Sequence, residues 1–437
     1  MSVAPSRFLC VLLVGLSTVA HVSAEDWPQW RGAQRDGVWR ETGIVQQFDS
    51  EQIELRWRQP IGSGYSGPTV VKGRVYVTDR LVEPKQIERV HCFDSKSGVE
   101  LWSYPYPCEY AISYEAGPRA AVTVEDNRAY ALGSMGHLHC FDAGSGVVLW
   151  KKDLNSIYHI VADRRMPIWG IAAAPLIYED LVILHIGGKD NASIVALDKK
   201  SGDEQWRSLS DRAQYSAPII VQQAGVPVLV CWTGDSVAGL DPASGKVYWR
   251  HPFAPTKIPI GIATPIVDGD QLFVTSFYDG SLMLRLRQDR PAVEKIWQRR
   301  GLDEKRTDAL HSIMSTPLFH DGYIFGVDSY GELRCLDAAT GDRVWEDQTA
   351  TPRDRWSNIH FVVNGDRTWM FNERGELIIA QLSREGFHEI SRAKLIDPTR
   401  PQLPSRRGGV CWAHPAFADK HVFIRNDQEL VCASLQQ

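Results

Sequence analysis

The stretch DSKSGVELW, residues 94–102, returns four more times as DAGSGVVLW (142–150), DKKSGDEQW (198–206), DPASGKVYW (241–249) and DAATGDRVW (337–345). All five obey Asp-x-x-[Ser/Thr]-Gly-x-x-x-Trp. A frame repeated at this spacing is the signature of a repeat architecture, in which each unit buries its apolar face against the next. Every fixed position has a physical task. Asp94, Asp142, Asp198, Asp241 and Asp337 place a carboxylate where a tight turn presents backbone N–H groups. Gly98, Gly146, Gly202, Gly245 and Gly341 supply the positive φ that closes such a turn. Trp102, Trp150, Trp206, Trp249 and Trp345 offer a broad apolar face to fill the space between units. Trp57 and Trp297 continue the series without the full frame.

Upstream of each frame lies a second pattern. PTVVKGRVYV (68–77), PIVDGDQLFV (265–274) and PLFHDGYIFGV (317–327) are apolar runs broken by a Lys-Gly or Asp-Gly turn, the mark of an antiparallel hairpin. A third run follows, as in GHLHCFD (136–142) and GELRCLD (331–337), and the Trp run is the fourth. Four antiparallel strands in about 48 residues make a β-propeller blade. Innermost strands are expected to begin near Pro68, Val122, Pro175, Pro218, Pro265, Pro317, His360 and Pro415, which counts eight blades. Blades five and seven depart from the frame, so a seven-bladed ring is the alternative. The last blade ends at CASL, one strand short, while IELRWRQPI (53–61) carries Trp57 at the blade-Trp position. The expected fold is therefore all-β: an eight-bladed propeller of four-stranded antiparallel blades, closed by the N-terminal strand completing the last blade, which removes free sheet edges.

GSGYSG (62–67) has the glycine spacing of a dinucleotide fingerprint. It runs into a Pro-led β pattern, so no helix N-terminus would face a pyrophosphate, and it reads as a loop into an innermost strand.

At the N-terminus Arg7 precedes an apolar run from Phe8 to Ala20, followed by Ser23-Ala24. That run is too short to cross a bilayer and reads as a cleavable secretory signal peptide. The expected organisation is a signal peptide at 1–24, an N-terminal extension at 25–50 and the propeller at 51–437, with export to the periplasm or the outside of the cell. The net charge of −5 argues against a nucleic-acid binder, and no other segment suits a membrane crossing. A monomeric propeller is expected.

Cys92, Cys140, Cys335 and Cys432 share one third-strand position where other blades have Ala196 and Gly239, so they read as small buried residues. HLHC (137–140) looks like a metal cluster, but His91 and His139 also share a repeat position, which the repeat explains without metal. Cys108 and Cys411, in long inter-blade segments, are the pair to test for a disulfide.

The blade frame resembles the PQQ-like repeats of bacterial quinoproteins and of BamB-like outer-membrane assembly proteins. WPQWRGAQRDGV (27–38), with GYSGP (64–68), GPRA (117–120) and Trp169-Gly170, is similar to a large group of secreted PQQ-like propellers. The quinoprotein branch implies PQQ above the central channel with Ca²⁺, an Asp base and a disulfide between adjacent cysteines; this chain has no Cys-Cys pair and lacks the long insertions. The BamB-like branch implies a binding scaffold of the envelope, although the lipobox typical of it is absent.

In a propeller the loops leading into the innermost strands, called inlet loops below, share one face with the turns between the second and third strands. Function is expected there. Three residues before each innermost-strand start stand Tyr65, Arg119, Ala172, Tyr215, Ile262, Met314, Ser357 and Trp412. The candidate ligand-binding residues are Tyr65, Tyr114, Glu115, Arg119, Trp169, Tyr215, His311, Trp356, Arg407 and Trp412, an aromatic and basic ring suited to a flat ligand, a sugar or a peptide anchor. No nucleophile elbow, Walker motif, HExxH or EF-hand loop occurs. The sequence thus reads as an exported, non-catalytic scaffold binding an envelope protein or small ligand on its inlet face. The alternatives are a PQQ-dependent oxidoreductase with PQQ and Ca²⁺ as cofactors, or a carbohydrate-binding or carbohydrate-processing propeller.

Overall fold

The structure is a computed structural model and describes residues 25–112, 114, 117–161, 166–406 and 408–437. The expected signal peptide, Glu115 and Arg407 lie outside these residues. Eight four-stranded antiparallel sheets form the molecule. Blade 1 is built from Thr69–Val71, Arg74–Leu81, Ile87–Asp94 and Glu100–Pro107, inside to outside. Blades 2 to 7 span 123–153, 176–208, 219–252, 266–299, 318–347 and 359–394. Blade 8 takes three strands from 416–434 and its outermost strand, Leu55–Pro60, from the N-terminal side of the chain. There Trp57 pairs with Cys432. The ring is closed by its two ends, as the repeat count requires.

The repeat frame makes two different contacts. Within a blade, Asp94 Oδ1 accepts from Ser97 N (2.8 Å), Ser97 Oγ (2.8 Å) and Lys96 N (3.1 Å), while Gly98 sits at φ 72°. Between blades, five of the Trp lie over the turn glycine of the next blade. A Cβ added to Gly98, Gly146, Gly202 or Gly245 would stand 2.7, 2.6, 2.8 or 2.4 Å from the ring of Trp57, Trp102, Trp150 or Trp206 respectively. Gly341 receives Trp297 in the same way. The indole N–H also donates to that neighbouring turn, Trp57 to Ser95 O at 2.9 Å and Trp102 to Ala143 O at 3.1 Å. Trp345, with no frame glycine ahead of it, donates to Ser383 O at 2.9 Å. Trp249 also faces a blade without the frame. It donates instead to Gln223 Oε1 (2.9 Å), whose amide reaches Ala292 O of blade 5 at 2.6 Å.

The third-strand position opposite the Trp is small in six blades for a steric reason, while blade 5 sets Met283 opposite Trp297. Cys92, Cys140, Ala196, Gly239, Cys335 and Cys432 pair with Trp102, Trp150, Trp206, Trp249, Trp345 and Trp57. A Cβ on Gly239 would stand 2.2 Å from the Trp249 ring. Cys108 and Cys411 are both free and buried, in different apolar clusters. His139 packs against Tyr104 and Tyr106, and no group of three or more metal-type ligands converges among the described residues.

Blade 7 has no outer Trp; Ser391 stands opposite Ile379 where a Trp would pair. The N-terminal segment fills the gap there. Trp39, Ile44 and Ile53 join Trp369, Phe371 and Phe417 of blades 7 and 8 in one buried cluster. Backbone bonds from Trp39 N to Val363 O and from Ile53 N to Lys394 O, both 2.8 Å, fix it to blade 7, and Val45 N to Leu435 O (2.8 Å) fixes it beside blade 8. Ahead of this the strap crosses the turn face. Asp26 caps the first hairpin at Lys72 N (2.9 Å), and Trp27 bridges to Val70. Arg35 enters the channel and donates to Pro218 O (3.1 Å), Ala174 O (3.4 Å) and Pro175 O. Its bonds go to carbonyls, and burial lowers its pKa to about 9. Trp30 stands above it, its indole N–H on Thr264 Oγ1 at 2.8 Å. The strap therefore stops the channel from below.

Candidate functional site: an aromatic funnel

With its lower end stopped, the channel becomes a pocket open to the inlet face, with a cavity volume of about 130 Å3. Its walls are Tyr65, Tyr114, Arg119, Trp169, Tyr215, Trp356 and Trp412, with Ala172, Ile262, Ile313 and Met314 between them; Trp30, Ala174, Ala217, His360 and His414 also line it. Seven of the ten expected ligand-binding residues thus meet. The repeat explains why: equivalent inlet positions in different blades point at one axis. Ser357 is the exception in its series, for its neighbour Trp356 turns in instead.

The rings form a continuous wall. Trp169 stacks on Tyr215 (centroids 5.1 Å, interplanar angle 28°) and stands edge-on to Trp356 at 5.4 Å. Tyr114 bridges Trp169 (5.7 Å) and Trp356 (5.3 Å), and Trp412 links Trp356 (6.3 Å) to Tyr65 (6.2 Å). Two hydroxyls are engaged with the protein. Tyr65 donates to Tyr114 O at 3.0 Å and to Gln402 Oε1 at 2.5 Å, and Trp169 N donates to the Tyr215 oxygen at 3.2 Å. Burial pushes both phenols above the ordinary range, so they stay neutral. The backbone at Tyr114 (φ 64°) and Trp356 (φ 66°) is left-handed, rare for bulky residues. Strain of this kind concentrates at ligand sites, where surrounding structure holds it. Trp356 N is anchored on Ser329 O at 3.0 Å.

Arg119 is the cation of the wall. It donates to Gly117 O at 3.0 Å, and its guanidinium carbon lies 4.8 Å from the Tyr65 ring centre. Among the described residues no carboxylate pairs with it, and burial lowers its pKa. Arg355 sits over Trp356 (5.2 Å) at the rim. His360 and His414 are pushed down to about 4 and about 3 by burial, so both are neutral at pH 7.

Not every expected residue reaches the funnel. His311 is fully buried beneath it, Nδ1 facing Phe277 O at 3.0 Å and Nε2 accepting from Gly301 N at 3.1 Å; those bonds give it a packing role. Glu373 pairs with Arg406, both buried, and also accepts from Ser357 Oγ (3.1 Å). Trp30, His360 and His414 were not named as site residues from sequence. Nothing local marks Trp30, because only the path of the strap brings it under the inlet face. His360 stood in plain view as the one inner-strand start with a titratable side chain.

PQQ with Ca²⁺ can be tested against these residues. A tricyclic tricarboxylate needs several cations and its metal several oxygen donors. The described lining offers one arginine, no carboxylate and a cavity near the size that holds a single benzene. These residues do not fit that group.

Fold and site together define an eight-bladed propeller with a closed-ended aromatic funnel. Residues 86–347, more than half of the chain, match the sequence profile of the family described as outer membrane protein assembly factor BamB, and the chain belongs to this family of PQQ-like propellers. The outer membrane protein assembly factor BamB of Yersinia pestis is 24% identical over 207 residues, 44% of this chain and 46% of that protein. The chain thus spans about half the length of the curated relative it matches. Among solved structures, BamB from Moraxella catarrhalis aligns with a TM-score of 0.57 at 15% identity, covering 87% of this chain and 99% of that one. Quinohemoprotein alcohol dehydrogenase from Comamonas testosteroni aligns at 0.66 and 12%, covering 93% and 80%. At such identities both bear on the fold alone.

Proposed function

We propose that this protein is an exported, non-catalytic scaffold of the cell envelope, whose funnel receives the apolar or aromatic anchor of a protein or small ligand. The observation that carries the reading is the funnel itself: a ring-lined pocket, closed below by the chain's own Trp30, with one cation and no acid–base pair in its described lining. Concave apolar sites with few polar groups bind; chemistry needs convergent titratable groups as well. Membership of a family named for outer-membrane assembly agrees with an envelope role, and no helix of the described residues is long and apolar enough to cross a membrane. The described lining, with one arginine and no carboxylate, favours this reading over a quinoprotein one.

The test has two arms. Saturation-transfer NMR with small aromatic fragments is expected to show binding that Trp356→Ala weakens about tenfold, the effect of losing one stacked ring. Incubation with PQQ and Ca²⁺, an alcohol or sugar, and an artificial electron acceptor is expected to give no turnover. Turnover sensitive to the funnel residues would replace the scaffold reading with an oxidoreductase.

A further inference from the structure

Arg119 is an unusual residue for the wall it occupies. The walls around it are ring faces and aliphatic groups, and the pocket's two histidines are neutral. Arg119 is half-buried, and the part of a guanidinium withdrawn from water is costly unless its charge is matched. One of its donors serves Gly117 O and its face lies against Tyr65, which leaves further N–H donors without a partner among the described residues. Glu88, whose charge also acts on it, is itself committed: Tyr106 and Tyr110 donate to its two oxygens at 2.5 and 2.7 Å. Among the described residues the cation thus faces a funnel rather than a salt bridge.

Building on the scaffold reading, we propose that the funnel's ligand is an aromatic monocarboxylate of one or two rings, with the carboxylate on Arg119 and the ring against Trp169, Tyr215 and Trp356. Each part follows from the page. A carboxylate matches the fork of a guanidinium in two parallel hydrogen bonds. A phosphate dianion would bury charge that a single arginine cannot match among neutral histidines. The cavity of about 130 Å3 compares with one that accepts benzene, and its open mouth leaves room for a second ring. The stacked and edge-on rings suit a flat guest. Such an acid has two sources, a free aryl carboxylate or a polypeptide ending in an aromatic residue, and both present the same group.

Calorimetric titration of the purified chain with 2-naphthoate and 2-naphthamide tests this. The acid is expected to bind about tenfold more tightly than the amide, the usual gain of a charge-assisted pair over a neutral one. Arg119→Gln is expected to bring the two ligands together, with an unchanged thermal unfolding midpoint showing that the variant is folded; Arg119→Lys is expected to fall between. Equal affinity of acid and amide for the native chain, or an unchanged ratio in Arg119→Gln, overturns the carboxylate assignment and leaves the pocket standing. Binding of neither probe overturns the pocket reading beneath it. N-acetyltryptophan and a peptide with a free C-terminal Trp, against their amidated forms, separate the sources: preference for the free acid confined to the peptide assigns a chain terminus, and confined to the small acids assigns a free metabolite-like ligand.

Discussion

At the scale of the residue, Gly146 shows what the repeat frame is for. It sits at φ 73°, and Trp102 of the preceding blade occupies the place a Cβ would need, 2.6 Å away. Two costs therefore meet at one position: left-handed backbone, about 1–2 kcal/mol for a residue with a Cβ, and a clash with a ring held by its hydrogen bond. Gly225, at φ 77° with nothing within 4 Å, carries only the first cost. Urea denaturation is expected to place Gly225→Ala about 1 kcal/mol below the native protein and Gly146→Ala about 2–3 kcal/mol below it. Equal losses would mean that the Trp–Gly seam contributes nothing. The sequence marked this glycine as a turn residue. It did not reveal that the tryptophan it accommodates comes from the neighbouring blade, because the frame prints Gly and Trp four residues apart within one blade.

At the scale of the element, the N-terminal strap stands in for a missing tryptophan. Trp39 is fully buried although it belongs to no blade, 5.5 Å from Trp369 and 4.9 Å from Phe417, with its N–H on Glu41 Oε2 at 2.7 Å. Truncating a buried Trp costs about 3–5 kcal/mol. Trp39→Ala is expected to lose that much by chemical denaturation. A loss under about 1 kcal/mol would show the strap to be a loose cover. The same element decides the depth of the funnel. WPQWRG was visible as a motif, and whether its tryptophans capped the ring was not, since a segment outside the repeat has no register to inherit. Hydrogen bonds from Arg35 to the backbone of blades 3 and 4 settle its course.

At the scale of the whole molecule, burial sets a pH dependence. His139, His185 and His360 are pushed down to about 4, and His414 to about 3, in each case first by burial. Unfolded, each would titrate near 6.5. Between about pH 4 and 6.5 the unfolded chain therefore binds more protons than the native one. Stability rises with pH across that window and is lost as pH falls through it. Unfolding at pH 5.5 is expected to take up more than two protons, read from the slope of denaturation free energy against pH. A flat slope there would mean that these histidines titrate normally in the fold.

The ring itself was legible because its determinants are local and repeated: an Asp that caps a turn, a Gly that bends it, alternating apolar strands, and one strand too many at one end where one is lacking at the other. Each of these acts within a few residues or by simple counting, so the amino-acid order alone favoured eight blades over seven and determined their strand order and the closure through Trp57; the eight sheets of the structure removed the seven-bladed alternative. The inlet positions of the funnel were legible for the same reason, since equivalent places in a repeat converge on the axis. What only the tertiary structure decided was which of those residues enclose a space. Trp356 rather than Ser357 turns inward because the backbone there is left-handed. His311 sinks into the core because Phe277 O and Gly301 N hold it. Trp30 becomes a floor because the strap passes under a ring that exists only once all eight blades have closed.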